Sequence, residues 1–138
     1  MSQTLEEILQ LIFPIGRPPD RKVLTLWGSF SIWDFSFFGR QYWIKTLEVN
    51  PQKRLSLQRH HFRSEFWIPA SGEGVAFIDG HKFAFHGQSE DGFYVRPKIW
   101  HRLINTSSYQ PLIVIEYAWG KVLSEEDIER KEDDFGRV

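Results

Sequence analysis

Gln58, His60 and Glu65 fall within eight residues of one another, and His101 and Asn105 follow about 40 residues later. Two imidazoles, one amide oxygen and one carboxylate form a mixed nitrogen and oxygen set suited to one divalent transition ion: Zn, Mn, Co, Ni or Fe. The 138 residues include no cysteine, so thiolate ligands, disulfides and a cysteine nucleophile are excluded, and a structural zinc knuckle with them. Taken singly, each residue has a plain structural explanation. His60 and His61 read as surface histidines beside Arg59 and Arg63, and His101 as a hydrogen-bonded strand residue. The combination points to chemistry. If residues 54 to 60 are extended, Ser56, Gln58 and His60 share one face while Leu55 and Leu57 share the other. A polar face turned into a barrel needs an ion or a polar ligand to satisfy it.

The surrounding chain predicts the elements that would aim those side chains. Aromatic residues make up 16% of the sequence, with 12 Phe and 6 Trp, a composition that favours sheets. Short aromatic and β-branched segments lie at 23–27, 30–35, 41–49, 54–60, 65–70, 74–79, 82–85, 92–96, 101–105 and 112–119. They are separated by turn signals such as Asn50-Pro51, Ser71-Gly72 and Asp79-Gly80, and many short strands at such spacing predict a sandwich or barrel. Before them, Leu5, Ile8, Leu9 and Ile12 recur at helical spacing, and Thr4 with Glu7 forms a capping-box pattern. A helix and linker over 1–22 followed by a single β domain over 23–138 is therefore expected. Its apolar face packs either on its own barrel or on a second subunit. Ser124-Glu-Glu-Asp-Ile128 predicts a second short helix, and Arg130 to Val138 a polar tail.

The net charge of −1 gives no basic field for nucleic acid. No apolar run approaches the roughly 20 residues of a membrane helix, so a soluble, cytoplasmic protein is expected. Trp27, Trp33, Trp43, Phe77, Phe83 and Phe85 are expected as core; Trp67 and Trp100 flank the ligand segments, where core is the expectation and a pocket wall the alternative.

The spacing of Gln58, His60, Glu65 and Gly72, followed by Pro97, His101 and Asn105, resembles the two motifs of the cupin superfamily. Pro97 stands one residue closer to the histidine than usual, and Ile99 replaces a customary glycine. Within cupins the chain resembles the C-terminal domain of type II phosphomannose isomerases in four colinear blocks: Trp27-Gly28-Ser29-Phe30, Leu55 to Glu65 with Trp67, Trp100-His101-Arg102-Leu103-Ile104-Asn105, and Glu132-Asp-Asp-Phe-Gly-Arg137. Phe66, Gln52 and Phe62 depart from that pattern without touching a proposed ligand.

The resemblance implies an all-β cupin, a jelly-roll double-stranded β-helix, interconverting mannose 6-phosphate and fructose 6-phosphate. It implies metal held by Gln58, His60, Glu65 and His101, and catalytic roles for Arg137, Arg102 and Lys45. Substrate contacts are expected from Ser56, Arg63 and Asn105. Small phosphorylated sugars and a second copy in a homodimer are the implied partners. Guanylyl transfer, the work of the additional N-terminal domain in bifunctional members, is not expected from residues 1–22. A non-catalytic sugar-binding barrel and another cupin metalloenzyme are the alternatives, and the catalytic base is open.

Overall fold

The computed structural model describes residues 17–87 and 91–138. The helix expected around Leu5 to Ile12 lies outside them. Eleven strands are present: β1 Arg21–Leu24, β2 Gly28–Phe37, β3 Arg40–Val49, β4 Leu57–Arg59, β5 Arg63–Ser71, β6 Glu73–Ile78, β7 His81–His86, β8 Phe93–Val95, β9 His101–Asn105, β10 Leu112–Gly120 and β11 Glu129–Glu132. They form two antiparallel sheets, ordered β1-β2-β3-β10-β5-β8 and β11-β4-β9-β6-β7. All ten predicted segments overlap a strand.

Turn chemistry sets the register. Asp79 and Gly80, at φ of 51° and 81°, join Ile78 to its partner His81 in the two-residue, left-handed turn that an Asp-Gly pair favours. At the corner between β5 and β6, Gly72 sits at φ 90°, and a Cβ there would strike the Pro111 carbonyl. Glycine is required twice over, by conformation and by space.

The C-terminal region corrects one expectation. Ser124 to Ile128 is a turn, with Ser124 Oγ accepting from the Glu126 amide at 3.1 Å and Ser124 O accepting from the Asp127 amide at 3.1 Å. The capping residues act as expected, but five residues cannot repay helix nucleation, and the chain passes into β11. The expected tail is thus partly a strand. β11 pairs with β4 through Glu129↔Arg59 and Arg130↔Gln58, and Arg54 holds Asp134 at 2.8 Å just beyond it.

The main core gathers Trp27, Leu47, Val49, Leu55, Trp67, Ala76, Val95, Leu103, Leu112 and Val114. Trp33 and Trp43 are buried as expected, whereas Phe83 is 45% exposed. Asn105 closes this end of the barrel: its amide donates to Val49 O and Gln110 O at 2.9 and 2.8 Å, and its oxygen accepts from the Ser107 amide at 2.9 Å. Its hydrogen bonds go to backbone. An amide held by three backbone groups has little left to offer a sugar. No helix among the described residues is long and apolar enough to cross a membrane.

Candidate metal centre

Three elements deliver three buried ligands. His60 follows β4, Glu65 lies in β5 and His101 opens β9; none is more than 2% exposed. Each offers one ligand atom within 4.8 Å of the others. His60 Nε2 stands 2.8 Å from Glu65 Oε1, and His101 Nε2 stands 3.6 Å from Glu65 Oε2.

Backbone carbonyls fix both imidazoles. Asp127 O accepts from His60 Nδ1 at 2.6 Å, and Ile99 O accepts from His101 Nδ1 at 2.8 Å. With the protons on Nδ1, both Nε2 lone pairs turn toward Glu65, the arrangement that presents histidine to a metal. His101 Nε2 is buried without a hydrogen bond. An orphaned lone pair beside a carboxylate is costly unless something electrophilic meets it. These donors therefore fit a divalent ion.

Electrostatics support the same assignment. Burial would raise the Glu65 carboxyl, but Arg63, His60 and His101 together hold it well below the carboxylate range. His101 is lowered to about 4, first by burial, against the opposing pull of Glu65. At neutral pH the site offers a carboxylate and an uncharged His101 imidazole, the forms that ligate.

The turn before His101 departs from the family pattern in an instructive way. Lys98, next to Pro97, adopts φ 69°, and its amide donates to His60 O at 2.6 Å. Lys98 takes the left-handed conformation, and the turn ties the two histidine segments together.

The other expected site residues differ in how close they lie to the centre. Gln58 is the cross-strand partner of His101, and its Oε1 accepts from the buried Ser56 Oγ at 2.8 Å. Both remain beside the centre. Arg63 is buried against it, with Nη2 2.8 Å from His60 Nε2 and 3.0 Å from Glu65 Oε1. Lys45 is also buried and donates to Glu125 at 2.7 Å, with Glu116 3.9 Å away.

Arg102 and Arg137, expected to have catalytic roles, make their hydrogen bonds away from His60, Glu65 and His101. Strand alternation puts Arg102 on the face of β9 opposite His101. There it donates to Leu55 O at 3.0 Å and Glu132 at 3.3 Å. Arg137 forms a fork with Asp133 at 2.7 and 3.0 Å. Trp67 is core as expected and also borders the centre, edge-on to His101 at 5.4 Å, with its Nε1 donating to Glu65 at 3.0 Å and Glu116 at 3.2 Å. Trp100 instead lies beneath Arg59 and Lys131.

Three participants escape the sequence reading. Glu116 interrupts the apolar run of β10 and lies buried beside Lys45 and Trp67. Burial first, and then Glu65, push its carboxyl up to about 8. Arg130 shares a face with Gln58 through β11, and its Nε is buried without a hydrogen bond. Asp127 caps the His61 and Phe62 amides at 2.8 and 3.0 Å while its carbonyl holds His60. A lone acid inside an apolar strand was the available signal for Glu116; Arg130 and Asp127 have none before β11 is known.

Comparison with known proteins agrees. The family described as "Mannose-6-phosphate isomerase C-terminal" matches residues 18–133. The alginate biosynthesis protein AlgA of Pseudomonas aeruginosa is 39% identical over 117 residues, covering 85% of this chain and 23% of that protein. The xanthan biosynthesis protein XanB of Xanthomonas campestris is 36% identical over 140 residues, covering 99% and 28%. The mannose-1-phosphate guanylyltransferase ManC of Salmonella typhimurium is 32% identical over 139 residues, covering 99% and 28%. The chain thus spans about a quarter of the length of these curated relatives. Among solved structures, the capsular polysaccharide assembling protein CapF of Staphylococcus aureus superposes at TM-score 0.70 with 15% identity, covering 87% of this chain and 34% of that one. A cupin 2 domain-containing protein from Halorhodospira halophila superposes at 0.56 with 19% identity, covering 67% and 60%. Those likenesses establish the cupin fold. With the family match across residues 18–133 and the sequence relatives beside it, the chain belongs to the mannose-6-phosphate isomerase C-terminal family of cupins.

Proposed function

We propose that this chain is a metal-dependent aldose–ketose isomerase acting on mannose 6-phosphate and fructose 6-phosphate. The observation that carries the reading is the buried His60, Glu65 and His101 centre, with an orphaned Nε2, in a member of this family. An ion held there would supply Lewis-acid polarisation of the sugar oxygens, worth several kcal/mol in such sites. The chain's own residues do the rest. Lys45 offers a buried ammonium to a developing oxyanion,. Glu116, buried beside Lys45 with its carboxyl raised to about 8, is the group suited to accept the C2 proton as its ionised form and return it at C1. Trp67 covers the site against water. Ser56 and Gln58 face the sugar hydroxyls. Arg130, with Arg137 close enough to depress its pKa after burial has done so, is the guanidinium best placed for the phosphate. A homodimer remains part of the proposal; β1 is an edge strand with Leu24 82% and Leu26 58% exposed beside it,.

One observation favours a second reading. Arg102 and Arg137, expected to act in catalysis, are engaged by Glu132 and Asp133, as in a barrel that binds a sugar or nucleotide sugar without turning it over. A single assay separates the two. Fructose 6-phosphate formation from mannose 6-phosphate, with Mn, Co, Ni or Zn supplied, is the expected result. A fully metallated protein that binds the sugar phosphate without converting it sinks the isomerase.

A further inference from the structure

Arg63 occupies an unusual position for an arginine. It is 5% exposed, and its Nη2 lies 2.8 Å from His60 Nε2 and 3.0 Å from Glu65 Oε1. Because His60 Nδ1 donates to Asp127 O, His60 Nε2 is an acceptor, and Arg63 donates to it. Arg63 Nε also donates to Glu65 Oε1 at 3.1 Å. The guanidinium therefore saturates the two atoms, one nitrogen and one oxygen, that an ion would need. His101 Nε2 alone is left open.

We propose that Arg63 is a placeholder cation: it neutralises Glu65 in the metal-free protein and is displaced from His60 Nε2 and Glu65 Oε1 when a divalent ion binds. This inference rests on the reading that His60, Glu65 and His101 hold a metal. The exchange is balanced without covalent change, since two hydrogen bonds from Arg63 give way to two coordinate bonds from the same acceptors.

The structure also offers the displaced side chain a destination. Glu116 Oε2 is buried without a hydrogen bond. Glu116 and Glu125 both act on the Arg63 charge, and the Trp43 ring lies 5.5 Å from the guanidinium carbon. In the proposed exchange the guanidinium turns from Glu65 toward Glu116, whose carboxyl ionises as the cation reaches it. Arg63 Nη1, which makes no hydrogen bond with Arg63 docked on Glu65, then has a carboxyl within its neighbourhood. Such a device explains why a buried carboxylate between two imidazoles is tolerable before the ion arrives.

The test compares the full chain with its Arg63→Met and Arg63→Lys variants, using Co2+ alone as the probe. Affinity is read by visible-band titration and stability by thermal melting. Arg63→Met is expected to bind Co2+ about ten- to a hundredfold more tightly, the range for releasing charge-assisted hydrogen bonds. Its metal-free form should melt roughly 5 °C or more below the unsubstituted chain, and saturating Co2+ should close that gap. A residue with a merely structural role would leave the gap open. Arg63→Lys keeps the charge but loses the fork, so intermediate affinity is expected; affinity equal to the unsubstituted chain would mean that charge repulsion alone is at work and would overturn the placeholder. Co2+ binding that is unchanged or weaker in Arg63→Met also overturns it while leaving the metal centre standing. If neither the unsubstituted chain nor either variant takes Co2+, the metal reading falls, and this one with it. Should Arg63→Met fail to fold, Arg63→Lys carries the same comparison.

Discussion

The two ends of the barrel are built on the same strands and have opposite characters. Along β3 the inward residues pass from Lys45 to Leu47 and Val49, and along β10 from Glu116 to Val114 and Leu112, level with them across the ladder. On the facing sheet, β9 passes from His101 to Leu103 and then to Asn105. One end is a close-packed apolar core plugged by the Asn105 amide. The other buries Lys45, Arg63, Glu65, Glu116, His60 and His101 together. The difference separates two tasks. At the apolar end the polar atoms of Asn105 are matched to backbone partners. At the polar end His101 Nε2, Arg63 Nη1 and Glu116 Oε2 have no hydrogen bond. Matched polarity at the apolar end builds the fold, and the unmatched atoms clustered at the polar end are ones that a ligand could satisfy.

The sharpest way to break this division is to damage each end separately. Leu103→Ala, in the fully buried core, is expected to cost roughly 2–5 kcal/mol in urea unfolding with metal binding intact. A loss of metal equal to that of a ligand variant would merge the two ends into one unit. His60→Ala and His101→Ala should each weaken divalent binding by more than about a hundredfold, beyond the range reached by losing an orienting partner, as read by bound metal after dialysis. Retention of stoichiometric metal by either variant would place the centre elsewhere.

A smaller effect concerns pH. The folded Glu116 carboxyl titrates near 8 against an ordinary 4.5, so its protonated form is favoured by folding. That stabilisation is complete below about 4.5 and is lost as pH rises through 8. His101 acts on the acid side: lowered from 6.5 to about 4, it contributes stability above 6.5 that disappears as pH falls through 4. Between pH 6.5 and 8 the metal-free chain should therefore lose stability, and Glu116→Gln should flatten that slope. An unchanged slope would remove Glu116 from the account. The smallest expected effect is that of His81→Ala or His86→Ala, at exposed positions on β7, each within about 0.5 kcal/mol and with no loss of metal.

Much of the polar end was legible because strand alternation and ligand spacing act on neighbouring residues. Ser56, Gln58 and His60 could be assigned to one face, and Glu65 and His101 joined to them, before any coordinates. The same rule sets Arg102, adjacent to His101 in sequence, on the other side of β9. What alternation could not reveal is β11. Its Glu-Arg-Lys-Glu sequence has no apolar period, and the strand is held instead by backbone pairing to β4 and by the Arg59–Glu129 contact at 2.8 Å. Once β11 was read as a tail, Arg130 could not be set against Gln58, nor Asp127 against His60. Arg137 was drawn away by Asp133, a competitor four residues off whose pull depends on the local turn.

The grip of Asp127 on residues 60 to 62 bears on the order in which the protein is made. A ribosome delivers His60, Glu65 and His101 well before it delivers Asp127, so every ligand exists in the nascent chain while the carbonyl that fixes the His60 tautomer does not. Until Asp127 emerges and β11 closes on β4, His60 is free to present either nitrogen. The centre is thus assembled from early parts by a late one, and a chain ending at Gly120 would carry the complete ligand set without the geometry that selects its use.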